Sequence, residues 1–359
     1  MPAAAPAYSL EDPREAAQSA GLVYVCVDQP GIARRRSGGG FSYRDAQGRI
    51  VRDSKTLERI RGLVIPPAWR DVWICARANG HLQAAGYDQR GRRQYRYHPK
   101  FRAVREEAKF EHILTFAQSL PTVRERVRRD MAASGLGRDK VLATVVYLLE
   151  ATMIRIGGTE YARENNSFGL ATLRSRHLAI EGANLRFHFR GKSGKDWRVG
   201  VHDRRVAKIL KACQDLPGQH LFQYLDGAGE HRSVTSDDVN AYLKQASGAD
   251  ITAKDLRTWW GTVQAACTLS SPTAPASEAE AKQVLAQAIG EVSARLGNTP
   301  TICRKCYVHP EIITAHLCGE LNLGADAALE VEGPGLSRAE QAVLALLRRR
   351  LGKTPIRTR

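Results

Sequence analysis

LAIEGANLRFHFRGKSGKDWRVGVHD, residues 178–203, is the stretch that decides how the chain is read. Leu185, Phe187 and Phe189 alternate with Arg186, His188 and Arg190, and the alternation resumes after GKSGKD with Trp197, Val199 and Val201. Period-two patterning broken by a glycine-rich turn predicts a β-hairpin with one buried face and a basic tip.

The surroundings of this hairpin have a different texture. AVREEAKFEHILTFAQSL, PTVRERVRRDMAAS and RDKVLATVVYLLEATMIRIG precede it with helical periods. SDDVNAYLKQAS, with Ser236 as the expected N-cap, and EAEAKQVLAQAIGEVSARLG follow it. Further upstream, residues 22–98 alternate short runs with turns: LVYVCV, FSYRDAQGRIV, DVWICARANG and HLQAAGYDQRGRRQYRYH. These predict a small antiparallel sheet, interrupted by a helix in SKTLERIRGL at 54–63. The expected class is α+β. A β-rich N-terminal domain over 1–102 and a mainly helical domain over 103–359 meet in HPKFRAV. IARRRSGGG (32–40) reads as a surface loop, either mobile and phosphate-contacting or plain. LLRRRLGKTPIRTR reads as a solvated basic tail.

Composition narrows the partner. Lys and Arg number 54 against 37 acidic residues, a formal charge of +17, which favours a polyanion, nucleic acid before a membrane surface. Arginine outnumbers lysine 41 to 13, which suits forked phosphate contacts but equally follows from a GC-rich coding bias. Hydrophobic residues at 43% and charged residues at 25% fit a folded soluble protein. MPAAAPAYSL has no signal-peptide pattern, and VLATVVYLLEATMI (141–154) is too short and too polar to span a bilayer. Seven scattered cysteines argue against a disulfide framework, so the expected location is the cytoplasm.

GNTPTICRKCYVHP (297–310) poses a choice between a cysteine site and a tyrosine site. A single CxxC, Cys303 and Cys306, lacks a second pair or histidines at finger spacing, and its helical setting does not suit a thioredoxin-like motif. Thr299 and Pro300 read as N-cap and first residue of a short helix on which Ile302, Cys303 and Cys306 share a packed face. No metal and no cofactor is expected.

Tyr307 beside Lys305 is a half-buried packing residue unless cations converge on it. Three stand at awkward places. Arg155 ends an apolar helix. Arg257 lies on the first turns of a helix that Thr252 and Asp255 would start, next to Trp259 and Trp260. Lys192 stands at the hairpin tip. Buried ion pairs for the arginines and a solvated turn for Lys192 are the ordinary alternatives.

Taken in order, Arg155, Lys192, Arg257, Asn298 and Tyr307 resemble the catalytic set of the type IB DNA topoisomerases, in particular the compact poxvirus-like branch of bacteria. The resemblance is carried by IRIGGTEYARENNSFGLATLRSRHL (154–178), FRGKSGKDW, KDLRTWWGT and LGNTPTICRKCYVHP, and it covers nearly the whole chain. It implies reversible cleavage of one DNA strand through a 3′-phosphotyrosyl link, with neither ATP nor a required metal. Tyr307 would be the nucleophile, Lys192 the general acid, and Arg155, Arg257 and Asn298 the groups around the phosphate. Poxviral and eukaryotic members carry a histidine where this chain has Asn298; an amide can also donate. PPAWRDVWI and GYDQRGRRQYRYH look like the family's DNA-contacting strands, which places Gln94, Tyr95 and Tyr97 on duplex DNA, and Tyr161 matches a DNA-contacting tyrosine. Cross-strand aromatic packing is the other reading of Tyr95 and Tyr97. The expected partner is duplex DNA held in a clamp, not a membrane, and the protein is expected to be a monomer associated with the nucleoid.

Tyrosine recombinases share the Arg–Lys–Arg–Tyr set, but they carry His-x-x-Arg where this chain has Lys254-x-x-Arg257. A non-catalytic basic DNA-binding protein would account for the charge but not for the ordered motifs.

Overall fold

The computed structural model describes residues 12–89, 91–270, 277–324 and 333–352. Two compact units, Met1–Glu111 and His112–Arg359, divide the chain within a helix that spans Pro99–Ala132. Each unit has its own core, and the class is α+β.

The first unit opens with α1 (Pro13–Ser19), capped by Asp12, whose carboxylate accepts from the Arg14 N–H at 2.8 Å. Strands β1 (Ile32–Ser37), β2 (Gly40–Arg44), β3 (Arg70–Ile74), β4 (Leu82–Tyr87) and β5 (Arg93–Tyr97) form one antiparallel sheet in the order β2-β1-β3-β4-β5. Helix α2 (Ser54–Gly62), capped by Asp53, lays Ile60 on Ile32, Val72, Ile74 and Ala84.

Two expectations fail in this unit. LVYVCV is not a strand, because it makes only an isolated bridge, Val23 to Gly80. The His81 ring instead accepts the Val25 N–H at 3.1 Å, so a side chain satisfies backbone that a ladder would otherwise take. IARRRSGGG is not a loop: it is strand β1 and the turn into β2. Arg34 is buried there, donating to the carbonyls of Ile65, Pro66 and Trp69 at 3.3, 3.1 and 2.9 Å. Its guanidinium lies 4.2 Å from the Phe41 ring centre. A charge held this way is committed to the fold, leaving Arg35 and Arg36 exposed.

Helix α3 (Pro99–Ala132) runs through Pro121 without ending, where the sequence suggested two helices. Ile113, Phe116, Leu120, Val123, Val127 and Met131 form one buried stripe across the proline. Burial of such side chains, about 1.5–3 kcal/mol each, offsets the roughly 3 kcal/mol that an interior proline costs. Helix α4 (Arg138–Thr152) is buried on nearly all sides and forms the centre of the second unit.

After α5 (Thr159–Asn165), strands β6 (Leu178–Glu181), β7 (Asn184–Arg190) and β8 (Asp196–His202) make a three-stranded antiparallel sheet. Phe187 pairs with Val199 and Phe189 with Trp197, as the alternation requires. Helix α6 (Arg204–Gln214), the β9 (Gln223–Leu225) and β10 (His231–Ser233) ribbon, and α7 (Ser236–Ser247) follow. The cap of α7 is Thr235 rather than Ser236: its hydroxyl accepts the Asp238 N–H, and the Asp238 carboxylate accepts the Thr235 N–H.

The unit closes with α8 (Ala253–Leu269), α9 (Glu278–Leu296), α10 (Pro300–Cys306), α11 (Pro310–Leu317) and α12 (Arg338–Leu351). The sequence read the start of LLRRRLGKTPIRTR as tail, yet residues 346–351 complete α12. Leu346 and Leu347 are buried, and Arg350 donates to Glu311 at 2.6 Å and to Glu320. Residues 353–359 lie outside the described part. Arg124 ties α12 to the core, bonding Glu150 at 2.8 Å and Glu340 at 2.9 Å, while Glu340 accepts Trp259 Nε1 at 3.0 Å. Among the described residues no helix is long and apolar enough to cross a membrane.

Candidate active site

The site is built around the end of α9. Gly297 closes that helix at φ +64°, a left-handed cap that glycine adopts without a Cβ penalty. The carbonyls of Leu296 and Gly297 thereby turn away from the helix, and two arginines take them.

Arg257 reaches one of them from the second turn of α8. The Asp255 carboxylate fixes the start of that helix, accepting from the Thr252 N–H at 2.8 Å and its hydroxyl at 2.9 Å. Arg257 is only 4% exposed, and it donates to the Leu296 carbonyl at 2.6 Å and to the Met153 carbonyl. Burial first, and Arg155 second, lower its pKa to about 10, which leaves it fully charged at neutral pH.

Arg155 is not the last residue of the apolar helix, as expected from sequence. Helix α4 ends at Thr152, Met153 turns the chain in a left-handed conformation, and Arg155 follows on an extended segment. The Arg155 carbonyl accepts the Leu170 N–H at 2.9 Å, and Gly169 lies against it so closely that a Cβ there would sit 2.4 Å from the oxygen. The guanidinium donates to the Gly297 carbonyl at 3.2 Å and to Asn298 Oδ1. Burial lowers its pKa as well, partly offset by Tyr307.

Tyr307 follows α10. The Thr299 hydroxyl caps that helix, accepting the Ile302 N–H at 3.3 Å, with Pro300 at its first position. Cys303 is buried, but Ile302 is 47% exposed, so the apolar face expected for Ile302, Cys303 and Cys306 does not exist as drawn. The short helix presents Cys303 inward and Ile302 to solvent. The Tyr307 ring centre is 5.3 Å from the Arg257 guanidinium carbon, and the tyrosine offsets part of the burial that lowers the pKa of both arginines. Its carbonyl accepts from the Thr262 hydroxyl at 3.3 Å, and that hydroxyl also accepts the His309 N–H at 3.1 Å. Gly261 permits this approach, because a Cβ there would lie 2.7 Å from the Tyr307 oxygen. Sequence reasoning passed over Gly261 and Thr262, although both belong to KDLRTWWGT.

Four of the sequence candidates thus meet: Arg155, Arg257, Asn298 and Tyr307. Two buried donors there, Arg257 Nε and Asn298 Nδ2, have no hydrogen-bond partner among the described residues. Such groups are costly unless an acceptor joins them. With two guanidiniums alongside, the acceptor that fits is an anion. Lys192 occupies the tip between β7 and β8, exposed, with no ion pair or side-chain hydrogen bond among the described residues. Lys195 is engaged, donating to the Ala294 carbonyl at 3.3 Å.

The remaining candidates are more exposed or lie in the first unit. Tyr95 and Tyr97 stand on one face of edge strand β5, 43% and 39% exposed, their rings 6.0 Å apart. Tyr97 also stacks on Phe101 at 5.4 Å, so packing and an open aromatic surface coexist. Gln94, on the other face, donates to Asp88 at 3.1 Å. Tyr161 is in α5, and its side chain lies outside the described residues.

Most of this chain is similar to known proteins. Residues 98–316 match the profile of the eukaryotic DNA topoisomerase I catalytic core, and residues 40–88 match the bacterial DNA topoisomerase IB N-terminal domain. DNA topoisomerase 1B of Acanthamoeba polyphaga mimivirus is 30% identical over 285 residues, 77% of this chain and 85% of the viral protein. DNA topoisomerase I of monkeypox virus is 25% identical over 271 residues, 73% of this chain and 82% of its own. With the profile spanning well over half of its length, this chain belongs to the type IB DNA topoisomerase family.

Proposed function

We propose that the protein relaxes supercoiled duplex DNA by breaking and resealing one strand through a covalent link to Tyr307. The observation that carries the reading is the pair of buried donors without a partner among the described residues, Arg257 Nε and Asn298 Nδ2, beside a tyrosine whose ring centre lies 5.3 Å from the Arg257 guanidinium carbon.

In this reading a backbone phosphate enters among Arg155, Arg257 and Asn298. The Tyr307 oxygen attacks phosphorus and gives its proton to solvent water as the new bond forms. The bond to the 5′-oxygen breaks, and Lys192 gives that oxygen a proton, leaving a 3′-phosphotyrosyl link and a 5′-hydroxyl. Resealing is the reverse, so the bond energy is kept in the intermediate and no ATP is consumed. Charge gathers on the non-bridging oxygens at the transition state. Guanidiniums already anchored on carbonyls meet that charge without reorganising, which is where fixed dipoles and charges act most strongly. These cations would take the part that Mg²⁺ plays in many phosphoryl transfers. Tyr95, Tyr97, Gln94 and Tyr161 would contact the duplex, and the +17 charge would draw it in through its phosphates. One catalytic set per chain supports action as a monomer.

The test is relaxation of negatively supercoiled plasmid without ATP and with excess EDTA, alongside Tyr307→Phe. Relaxation by the native chain alone, with a covalent protein–DNA adduct after denaturation, is expected. Relaxation by both proteins would move the nucleophile elsewhere. Relaxation by neither, with tight DNA binding, would leave recombination or a purely architectural role.

A further inference from the structure

The cap of α9 receives more than the two arginines. The indole of Trp197, buried at the base of the hairpin tip, is wedged between two glycines. A Cβ on Gly297 would lie 2.5 Å from the ring, and one on Gly191 would lie 2.7 Å from it. Gly191 immediately precedes Lys192, and its N–H donates to the Lys195 carbonyl at 2.8 Å, closing the neck of the tip. Phe189 lies parallel to the indole from below, at 6.1 Å. On the other side Gly297 carries the carbonyl that Arg155 holds, and Asn298 comes next. One rigid aromatic plane therefore spans the distance between the neck of the hairpin and the backbone that organises the phosphate-binding groups. Lys195 adds a second tether, donating to the Ala294 carbonyl one turn earlier with its ammonium 5.9 Å from the Trp197 ring centre. Lys192 itself has no side-chain hydrogen bond or ion pair among the described residues to hold it.

We infer that Trp197 is a positioning residue for the proton-transfer step: seated on Gly297, it sets where the hairpin delivers Lys192. This rests on the assignment of Lys192 as the general acid. The physical reason is that an exposed lysine on a short tip has wide freedom, and proton transfer needs it within hydrogen-bond reach of one oxygen. Misplacement by about 1 Å can cost about 10²-fold in rate. A tryptophan held against Gly191 at its pyrrole end and against Gly297 at its benzene end supplies stiffness that the glycine-rich tip lacks. Two glycines without room for a Cβ keep that grip close.

The experiment compares single-turnover cleavage of two duplexes by the full chain. One has the natural scissile phosphate, and the other has sulfur in place of the bridging 5′-oxygen, a leaving group that departs without a proton. Lys192→Ala serves as the control for the acid assignment. Trp197→Leu is expected to cleave the natural duplex about 10- to 10²-fold more slowly than the native chain. On the sulfur duplex it is expected to return close to the native rate, as Lys192→Ala does. Equal slowing on both duplexes would overturn the inference, since a general structural defect ignores the leaving group. So would a native rate on the natural duplex. Failure of Lys192→Ala to be rescued would instead overturn the acid assignment. If Trp197→Leu does not fold by thermal melt, Trp197→Phe is measured in the same pair of assays, with the same two results deciding.

Discussion

The arginine cradle and the hairpin tip place positive charge by opposite means. In the cradle, Arg257 and Arg155 are sunk against backbone carbonyls at the C-terminal ends of α4 and α9, and burial depresses both pKa values without removing the charge. At the tip Lys192 is exposed on a turn with Ser193 at φ +62° and Gly194 at φ +77°. The contrast teaches a division of labour. On the proposed mechanism, the groups that would hold a phosphate through both cleavage and resealing are immobilised in advance. The group that would give and recover a proton stays near water, and on the inference above it is aimed indirectly.

The largest expected effect tests the cradle. Arg257→Ala should slow cleavage about 10²–10³-fold, the usual loss when one preorganised donor to a developing oxyanion is removed. It should also lower thermal stability, since the buried carbonyls of Met153 and Leu296 lose their donor at about 1–3 kcal/mol for each unpaired group. Unlike Lys192→Ala, this variant should not be rescued by a sulfur leaving group. Rescue would erase the distinction between the two regions.

A smaller effect is expected for Asn298→Ala. Loss of one neutral hydrogen bond at about 0.5–1.5 kcal/mol corresponds to about tenfold in rate or less. Asn298→His, which restores a ring donor, should recover part of that. A loss as large as that of Arg257→Ala would mean that Asn298 acts by holding Arg155 rather than by donating to phosphate.

The smallest effect concerns pH and falls on the hairpin side alone. His177 lies beneath the three-stranded sheet, its ring 4.5 Å from Phe168 and 6.4 Å from Phe189. Its Nδ1 accepts the Arg174 N–H at 3.1 Å. Burial, then Arg176 and Arg174, push its pKa down to about 4. The unfolded chain takes up that proton near the ordinary value of about 6.5, so it binds more protons than the folded chain between about pH 4 and 6.5. Stability from this group is complete above that window and declines as pH falls through it. Melting temperature followed from pH 7 to 4.5 should therefore drop less steeply in His177→Gln than in the native chain. The arginines stay charged throughout, so a matching slope change in an Arg155 variant would contradict the contrast.

Local signals were legible where one residue decides one bond. The caps at Thr299 and Asp255, and the alternation of Leu185, Phe187 and Phe189, follow from backbone donors and from period two. Signals failed where a distant partner changes the outcome. LVYVCV has strand-like composition, but the His81 ring takes the backbone donor of Val25. IARRRSGGG looks like a basic loop, but three carbonyls from 65–69 and a neighbouring strand claim Arg34 and β1. Pro121 should stop a helix, but a continuous buried stripe on both sides carries α3 past it. Ile302 reads as core, yet α10 is so short that only one of its faces meets the protein.

By itself the sequence determined the α+β class, the basic character, and the identity and order of Arg155, Lys192, Arg257, Asn298 and Tyr307. Those depend on residue types and short spacings, which the chain carries wherever it goes. Only the tertiary structure decided that the cap of α9 is the meeting point, with Arg155, Arg257, Lys195 and Trp197 all meeting the four residues of backbone from Ala294 to Gly297. Carbonyls are the same in every residue, so no side-chain pattern marks which of them will be left open, or which distant guanidinium will fill it.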